Sequence, residues 1–304
     1  MPKTTLTIAT RQSPLALWQA EHARARLLAC HPKLSVNLLP MRTQGDKFLQ
    51  DTLVAVGGKG LFVKELEEAL LDGRADVAVH SMKDMPAHLP DGLMLGGVSE
   101  RANPLDALIS PKYRTLAALP VGARVGTASL RRQSQLLRVR PDLHIECLRG
   151  NLQTRLAKLE SGAFDAIVLA CAGLERLGLE AHITEVFSPD VLLPACGQGV
   201  LGFELRADDA AVHALLSPLF DAQTARCIEV ERRVNAALGG SCRTPMGIYC
   251  HTTDKDLLTL RVRVLAANGG EMLEAHAVGK EADALADAVV ADLHARGVTR
   301  LLPS

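Results

Sequence analysis

Apolar residues recur along this chain at two alternating spacings, and the alternation predicts a layered α/β protein. The first unit reads as a strand at Leu6-Thr-Ile-Ala9, a turn, and a helix from Ser13 to about Ala29. Ser13 is a good N-cap, Pro14 suits the first helical position, and His31-Pro32 supplies the stop. A strand from Ser35 to Pro40 follows, then a glycine-containing loop and a helix from about Leu61 to Leu71. In that helix Phe62, Leu66, Ala69 and Leu70 share one face, while Lys64, Glu65, Glu67 and Glu68 point elsewhere. Gly73 ends it, and Asp76-Val-Ala-Val-His80 forms the next strand. Helices alternating with short apolar strands imply crossover connections and a mainly parallel sheet.

The same order recurs after about residue 104. A strand starts at Arg124-Val-Gly-Thr, Ser129 can cap a helix, Leu143 to Leu148 is a strand, and Leu152, Leu156 and Leu159 stripe a further helix. Gly162-Ala-Phe-Asp165 before the strand Ala166–Ala170 mirrors Gly73-Arg-Ala-Asp76 before Val77-Ala-Val. Two similar α/β domains facing each other across a cleft are the economical reading. From about residue 222 the pattern changes to a helix at 224–238, a Gly239-Gly-Ser-Cys242 loop, a strand at 246–249, a hairpin turning at Asn268-Gly-Gly, and a helix carrying Leu285, Val289 and Leu293 on one face. This predicts a small antiparallel α+β domain.

Charge narrows the possible partners. The chain has 304 residues, with 34 Lys+Arg against 34 Asp+Glu, and aromatic residues are 3% of it. A balanced charge argues against a sequence-independent grip on phosphates, and scarce aromatics argue against a stacking platform for single strands. No apolar run reaches the roughly 18 residues a membrane helix needs, and the amino-terminal segment lacks a secretory core, so a cytoplasmic protein is expected. The seven cysteines are scattered without a CxxC pair, which suits neither a disulfide framework nor a structural zinc site. No metal site is expected.

The neutral total conceals a cationic middle. Between Val121 and Lys158 there are eight basic and two acidic side chains. Helix starts normally favour Asp or Glu, yet the predicted strand-to-helix junctions carry Arg11 beside Ser13, Lys59 in Gly57-Gly-Lys-Gly60, Arg131-Arg132 after Thr127-Ala-Ser129, and Arg149-Gly-Asn151 followed by Arg155. A cation there opposes the helix dipole unless an anion lies between them, and such junctions sit on the ligand side of α/β sheets. Arginine's fork suits carboxylates and phosphates. Lys83 and Asp84 fall just beyond the strand 76–80, where a carboxylate can meet a ligand N–H or oppose a developing cation; a structural ion pair would look the same. Cys242 beside Arg243 could serve as a nucleophile, although a structural thiol is the commoner use of such a residue.

Two glycine motifs do not carry the chemistry they resemble. Gly57-Gly-Lys-Gly60 lacks the spacing of a phosphate-binding P-loop. Gly197-Gln-Gly199-Val-Leu-Gly202 matches a dinucleotide fingerprint literally, but it leads into Phe203-Glu-Leu-Arg206, which alternates like a strand instead of opening a helix. It is expected to be a tight backbone passage between domains.

Seven segments taken together resemble the porphobilinogen deaminases. They are Thr10-Arg-Gln-Ser-Pro-Leu-Ala, Gly57-Gly-Lys-Gly-Leu-Phe-Val-Lys-Glu-Leu, Val79-His-Ser-Met-Lys-Asp-Met-Pro, Ala128-Ser-Leu-Arg-Arg, Leu148-Arg-Gly-Asn, Leu193-Pro-Ala-Cys-Gly-Gln-Gly and Gly239-Gly-Ser-Cys. The match runs in order from near residue 8 to beyond residue 250, and only the last 50 or so residues resemble the family loosely. The resemblance implies a transferase of tetrapyrrole biosynthesis that condenses four porphobilinogen molecules head to tail into hydroxymethylbilane, releasing ammonia at each step. It implies a dipyrromethane cofactor joined by a thioether to Cys242, which turns the reading of that cysteine from structural to covalent. Asp84 matches the family's catalytic aspartate. Lys83, Arg131 and Arg132 match basic residues that bind cofactor carboxylates, with Ser81, Thr127, Ser129 and Gln198 adding polar contacts. Arg11, Ser13, Lys59, Arg149, Arg155 and Arg176 match the substrate side. Ala55 departs from the family, many of whose members have lysine in that loop, so no cationic contact is expected there.

The implied fold is two similar α/β domains like those of periplasmic binding proteins, around a cleft, plus the small carboxyl-terminal α+β domain. Domain 1 would comprise residues 1–100 and 200–220, domain 2 residues 101–199, and the cofactor-attachment domain residues 221–304. The implied protein is a monomer acting on porphobilinogen, with no nucleic acid or membrane partner. The rival reading from the residues alone is a two-domain binding module for a carboxylated small molecule; a nicotinamide-dependent dehydrogenase is a weaker one.

Overall fold

The computed structural model describes residues 3–43, 63–241, 244–253 and 256–302. The chain begins with β1 (Thr5–Arg11), α1 (Pro14–Cys30), β2 (Ser35–Met41), α2 (Lys64–Leu71), β3 (Val77–Ser81) and β4 (Leu93–Val98). Next come β5 (Asp106–Ile109), β6 (Arg124–Gly126), α3 (Leu130–Val139), β7 (His144–Glu146), α4 (Leu152–Glu160), β8 (Ala166–Ala170), α5 (Cys171–Arg176) and β9 (Glu185–Val186). β10 (Leu201–Arg206), α6 (Ala210–Leu216) and α7 (Ala222–Ala237) lead to β11 (Met246–Thr252), β12 (Leu258–Leu265), β13 (Met272–Gly279) and α8 (Ala282–Ala295). Two compact units result: Met1–Arg101 with Val200–Ala225, and Ala102–Gly199 with Arg226–Ser304.

Each unit contains a five-stranded sheet, ordered β2-β1-β3-β10-β4 in the first and β7-β6-β8-β5-β9 in the second. The three strands joined by helices are parallel, as the alternation of strand and helix predicts. Only the fourth strand, β10 or β5, is antiparallel, and it is so to both its neighbours; β4 and β9 therefore run with the first three, and each sheet is mainly parallel, as expected. The antiparallel fourth strand enters each sheet from a remote part of the chain, β10 after the whole of residues 102–199 and β5 before the β-α-β run begins. Hydrophobic periodicity identifies a strand but carries no information about such long-range pairing.

The internal repeat has a physical basis. Gly73 and Gly162 follow α2 and α4, and both adopt a φ of +78°, a left-handed conformation that glycine enters without Cβ strain. Asp76 and Asp165 come three residues later. Asp76 accepts the Thr7 N–H at 2.7 Å and Asp165 accepts the Arg124 N–H at 2.8 Å, so each fastens a strand to the start of its parallel neighbour. Ser13, Ser129 and Asn151 cap α1, α3 and α4 through their side-chain oxygens.

Strand residues in the first unit divide by period two between two covering layers. Leu6, Ile8, Val77, Val79, Phe203 and Leu205 pack with Ala20, Ala23 and Leu27 of α1. Ala9 and Ala78 pack on the other face with Leu66, Ala69 and Leu70 of α2. Complete burial of a side chain such as Leu27 or Leu66 contributes roughly 1.5–3 kcal/mol. The carboxyl-terminal part of the second unit is the expected α+β arrangement, an antiparallel β11-β12-β13 sheet whose core includes Val230 and Val234 of α7 and Leu285, Val289 and Leu293 of α8.

Gly199 explains the glycine-rich run before β10. Its φ is +87°, and a Cβ there would lie 2.6 Å from the Ala102 carbonyl oxygen. The Ala102 N–H in turn donates to the Gly199 oxygen at 3.1 Å. The run is a close backbone passage where the chain leaves one unit for the other, and Leu201–Arg206 beyond it is a strand. The dinucleotide fingerprint is therefore a coincidence of spacing.

Candidate active site

Parallel pairing brings the carboxyl ends of β1 and β3 to the same edge of the first sheet. Arg11 is the last residue of β1, and Ser13 caps α1 with its Oγ accepting the Ala16 N–H at 3.3 Å. The first turn of α1 contains no acid, which leaves its amino end attractive to an anion. Ser81 ends β3, and a 3-10 turn over Met82–Asp84 carries Lys83 and Asp84 just beyond it. Backbone bonds fix that turn: the Met82 N–H donates to Val200 O at 2.9 Å and the Met85 N–H to Met82 O at 3.1 Å. Arg11, Ser13, Gln19, His80, Ser81 and Asp84 border a pocket of about 60 Å³. Gln19, buried within α1, donates to Ser81 Oγ at 2.9 Å and so orients that hydroxyl. Asp84 itself is exposed.

In the second unit the Thr127-Ala-Ser129 turn is held by the Ser129 N–H on Thr127 Oγ1 at 3.2 Å and the Arg132 N–H on Ser129 Oγ at 3.4 Å. Arg131 and Arg132 turn inward from the start of α3, and both guanidinium groups meet Asp106, the first residue of β5. Arg131 Nη1 donates to Asp106 Oδ2 and to Leu193 O, each at 2.8 Å. Arg132 reaches Asp106 Oδ1 at 2.7 Å through Nη2 and Val168 O at 3.0 Å through Nη1. Gln198 completes the cluster, donating to Asp106 Oδ1 at 3.1 Å and accepting from Arg131 Nη2 at 3.3 Å. Burial pushes the Arg131 guanidinium below its usual range, against the pull of Asp106.

Two guanidinium groups around one carboxylate leave an excess positive charge in a nearly dry place. Removing the carboxylate leaves both cations uncompensated, so Asp106→Ala should cost roughly 3–5 kcal/mol of folding stability. The measurement is the urea midpoint at unchanged slope; a loss below about 1 kcal/mol would mean that the carbonyl acceptors hold the arginines by themselves.

The remaining basic residues lie near the start of α4 and the end of α5. Arg149 donates through Nε to Cys147 Sγ at 3.3 Å, Asn151 caps α4, and Arg155 Nε donates to Gly150 O at 2.8 Å. Arg176 donates to Gly199 O at 2.8 Å, and burial, opposed by Glu175, pushes its guanidinium down to about 10. Lys59 and Cys242, with Ala55 and Arg243, lie outside the described residues. Among the described residues no group of three or more His, Cys, Asp or Glu side chains is placed to hold a metal ion.

The structure thus gathers Arg11, Ser13, Ser81 and Asp84 at one pocket, Arg131, Arg132 and Gln198 in one buried network, and Arg149 with Arg155 at one helix start. Sequence reasoning missed Gln19, His80 and Asp106 at these places. Asp106 gave no signal, because it lies 25 positions before Arg131 on a strand of four residues. His80 was visible only as one polar residue within an apolar strand.

Residues 6–214 match the model of the porphobilinogen deaminase dipyromethane cofactor binding domain, and residues 225–294 match that of the porphobilinogen deaminase carboxyl-terminal domain. The chain belongs to the porphobilinogen deaminase family. The porphobilinogen deaminase of Legionella pneumophila strain Philadelphia 1 is 56% identical over 299 residues, covering 98% of this chain and 97% of the relative. That of Xanthomonas axonopodis pv. citri is 50% identical over 301 residues, covering 98% and 99%. Among solved structures, a nutrient-binding protein from Burkholderia cenocepacia bound to methionine is similar over 69% of this chain and 90% of that one, with TM-score 0.46 and 14% identity. Family membership makes the chain a hydroxymethylbilane synthase, a transferase of tetrapyrrole biosynthesis that uses a dipyrromethane cofactor. The rival reading as a binding module is not favoured.

The residues present suit that cofactor. A dipyrromethane offers pyrrole N–H donors and several carboxylates. The pocket of the first unit supplies an exposed carboxylate acceptor in Asp84, with a guanidinium and hydroxyls in Arg11, Ser13 and Ser81.

Proposed function

We propose that the pocket at the ends of β1 and β3 is where porphobilinogen is activated, with Asp84 as the catalytic carboxylate. The gathering of Arg11, Ser13, Ser81 and Asp84 around one pocket carries this reading, since it sets donors for a carboxylate beside an acceptor for a pyrrole N–H. Asp84 accepts the pyrrole N–H and opposes the positive charge that develops as the aminomethyl C–N bond breaks. Arg11 and Ser13, at the amino end of α1, and Lys83, beside Asp84, bind acetate and propionate groups. Lys59 serves the same purpose from the Gly57–Gly60 segment. Ser81, oriented by Gln19, adds a hydroxyl contact.

Thr127, Ser129, Arg131, Arg132 and Gln198 hold the cofactor's carboxylates on the side of the second unit, and Arg149, Arg155 and Arg176 hold those of substrate rings. When bound, dipyrromethane, joined through a thioether to Cys242, supplies the primer and the ring carbon to which porphobilinogen is added. Every pyrrole ring brings two carboxylates, which accounts for the number of arginines at strand ends. Purified protein given porphobilinogen should release one ammonia per molecule consumed and form a four-ring product. Retention of porphobilinogen without ammonia release would instead indicate a carboxylate-binding module.

The protein works as a cytoplasmic monomer on a small molecule, without nucleic acid or membrane. Its equal counts of 34 basic and 34 acidic residues support the lack of a nucleic-acid partner, and among the described residues no helix is long and apolar enough to cross a membrane. Sedimentation at working concentration should give a single species of about one chain's mass, 32.5 kDa.

A further inference from the structure

Beneath the Asp84 pocket lies a group of ionisable side chains that the mechanism above does not use. His80 borders the pocket with Arg11, Ser13, Ser81 and Asp84, yet only 6% of it is exposed. Antiparallel pairing sets His80 opposite Gly202 and Ala78 opposite Glu204, so His80 and Glu204 share one face of the sheet. Glu204 is completely buried, and its Oε2 lies 2.9 Å from His80 Nε2. That approach is off the hydrogen-bonding direction, so His80 Nε2 and both Glu204 oxygens have no hydrogen-bond partner. Glu67 reaches the same cluster from α2, which covers this face, and is 8% exposed.

Two buried carboxylates and one imidazole cannot all be charged without leaving a net negative charge in a poorly hydrated place. Burial first, and then the charge of Glu204, push the Glu67 carboxyl up to about 7; His80 opposes the shift and Glu68 adds to it. The other charged groups on the elements packed here are Lys64, Glu65 and Glu68 on α2, Arg11 at the end of β1, Lys83 and Asp84 beyond β3, and Arg206 on β10. Arg206 is committed to the carbonyls of Leu70 and Ala75 and to Asp209. β4, Leu-Met-Leu-Gly-Gly-Val, contributes no titratable side chain.

We propose that His80, Glu204 and Glu67 form a proton store beneath the pocket, and that His80 moves the proton of each condensation between the store and the reacting groups. This rests on the reading of the pocket as the site of porphobilinogen activation. In each condensation the C–N bond of the substrate's aminomethyl group breaks, with its electron pair leaving on nitrogen as ammonia. A C–C bond forms to the methylene carbon, and the ring carbon that supplies its electrons gives up its hydrogen as a proton. The store gives a proton through His80 to the departing ammonia, which leaves as ammonium, and the proton given up by the ring carbon then passes back through His80 and refills it. The cluster ends each cycle as it began, and no oxidant or reductant takes part.

The test compares the cofactor-loaded wild type with Glu67→Gln and His80→Gln. The acid limb of the wild-type kcat profile should have its midpoint near 7, following Glu67, and Glu67→Gln should move it by about one pH unit or more with KM little changed. His80→Gln should lower kcat about 10²-fold at unchanged KM. A limb unmoved in Glu67→Gln, or kcat within about twofold of wild type in His80→Gln, overturns the proposal.

Stability supplies a readout that needs no turnover and serves if His80→Gln does not fold. Glu67 holds its proton more tightly folded, at about 7, than its ordinary 4.5, so its contribution is complete below about 4.5 and is lost as pH rises through 7. The wild-type Tm should therefore fall across that window more than that of Glu67→Gln; parallel curves would refute the store. Asp84→Ala separates the two readings. Normal turnover in that variant removes the activation site itself, whereas a dead Asp84→Ala beside an unmoved Glu67→Gln limb removes only the proton store.

Discussion

Asp84→Ala is expected to keep its fold and lose turnover by at least about 10³-fold, the scale on which loss of a preorganised charge-stabilising group is felt. Asp84 is exposed, and the turn that carries it is held by backbone bonds from Met82 to Val200 and from Met85 to Met82. Losing its carboxylate leaves those bonds intact, so stability should change by no more than about 0.5 kcal/mol. The variant should still load porphobilinogen through Arg11, Ser13 and Ser81, because the groups that hold carboxylates are separate from the acceptor of the pyrrole N–H. The expected pattern is a collapse of kcat with KM changed far less, read from ammonia release in steady state and in a single turnover. Near-normal ammonia release would remove Asp84 from the chemistry and leave it as a surface carboxylate beside Lys83.

Cys242→Ser should yield protein whose intact mass is that of the bare polypeptide, where the wild type carries the added mass of a dipyrromethane. A thioether needs a thiolate, and the serine hydroxyl is a far weaker nucleophile at neutral pH. Other cysteines are poor substitutes. Cys171, Cys227 and Cys250 are buried, and burial together with the negative charges of Asp106 and Glu175 pushes the Cys171 thiol up to about 12. Cys30 and Cys147 are exposed, on α1 and after β7, and Cys196 is half-buried. Retention of covalent pigment in Cys242→Ser would assign the attachment to one of these, and peptide mapping would identify which. A wild-type mass equal to the bare chain, with porphobilinogen nevertheless bound, would count against the family activity as a whole.

Local physics made much of the architecture legible before any coordinates. Ser13 and Ser129 announced helix starts, Gly73 a helix end, and the alternation of apolar residues separated strand from helix, because each signal depends only on neighbours within about one turn. The repeat of glycine and aspartate at 73–76 and 162–165 was visible as a pattern; its cause, an aspartate fastening the neighbouring strand, required the pairing of β1 with β3 and of β6 with β8. The strand character of Leu201–Arg206 was equally local, and it distinguished the passage at Gly199 from a nucleotide loop.

By itself, then, the sequence determined most of the helices and strands, though not β4, β5, β9, α5 or α6, that cations collect at their junctions, and to which family the ordered motifs point. The tertiary structure alone decided which remote groups those cations and carboxylates meet. Asp106 is separated from Arg131 and Arg132 by 25 and 26 positions, and Glu204 from His80 by more than a hundred, yet sheet pairing and burial bring each set within hydrogen-bonding range. Period and capping are short-range properties of the chain. The charge state of a buried carboxylate depends instead on what surrounds it in space, which is why Arg131 and Arg132 read as free cations in the sequence and are bound to Asp106 in the fold.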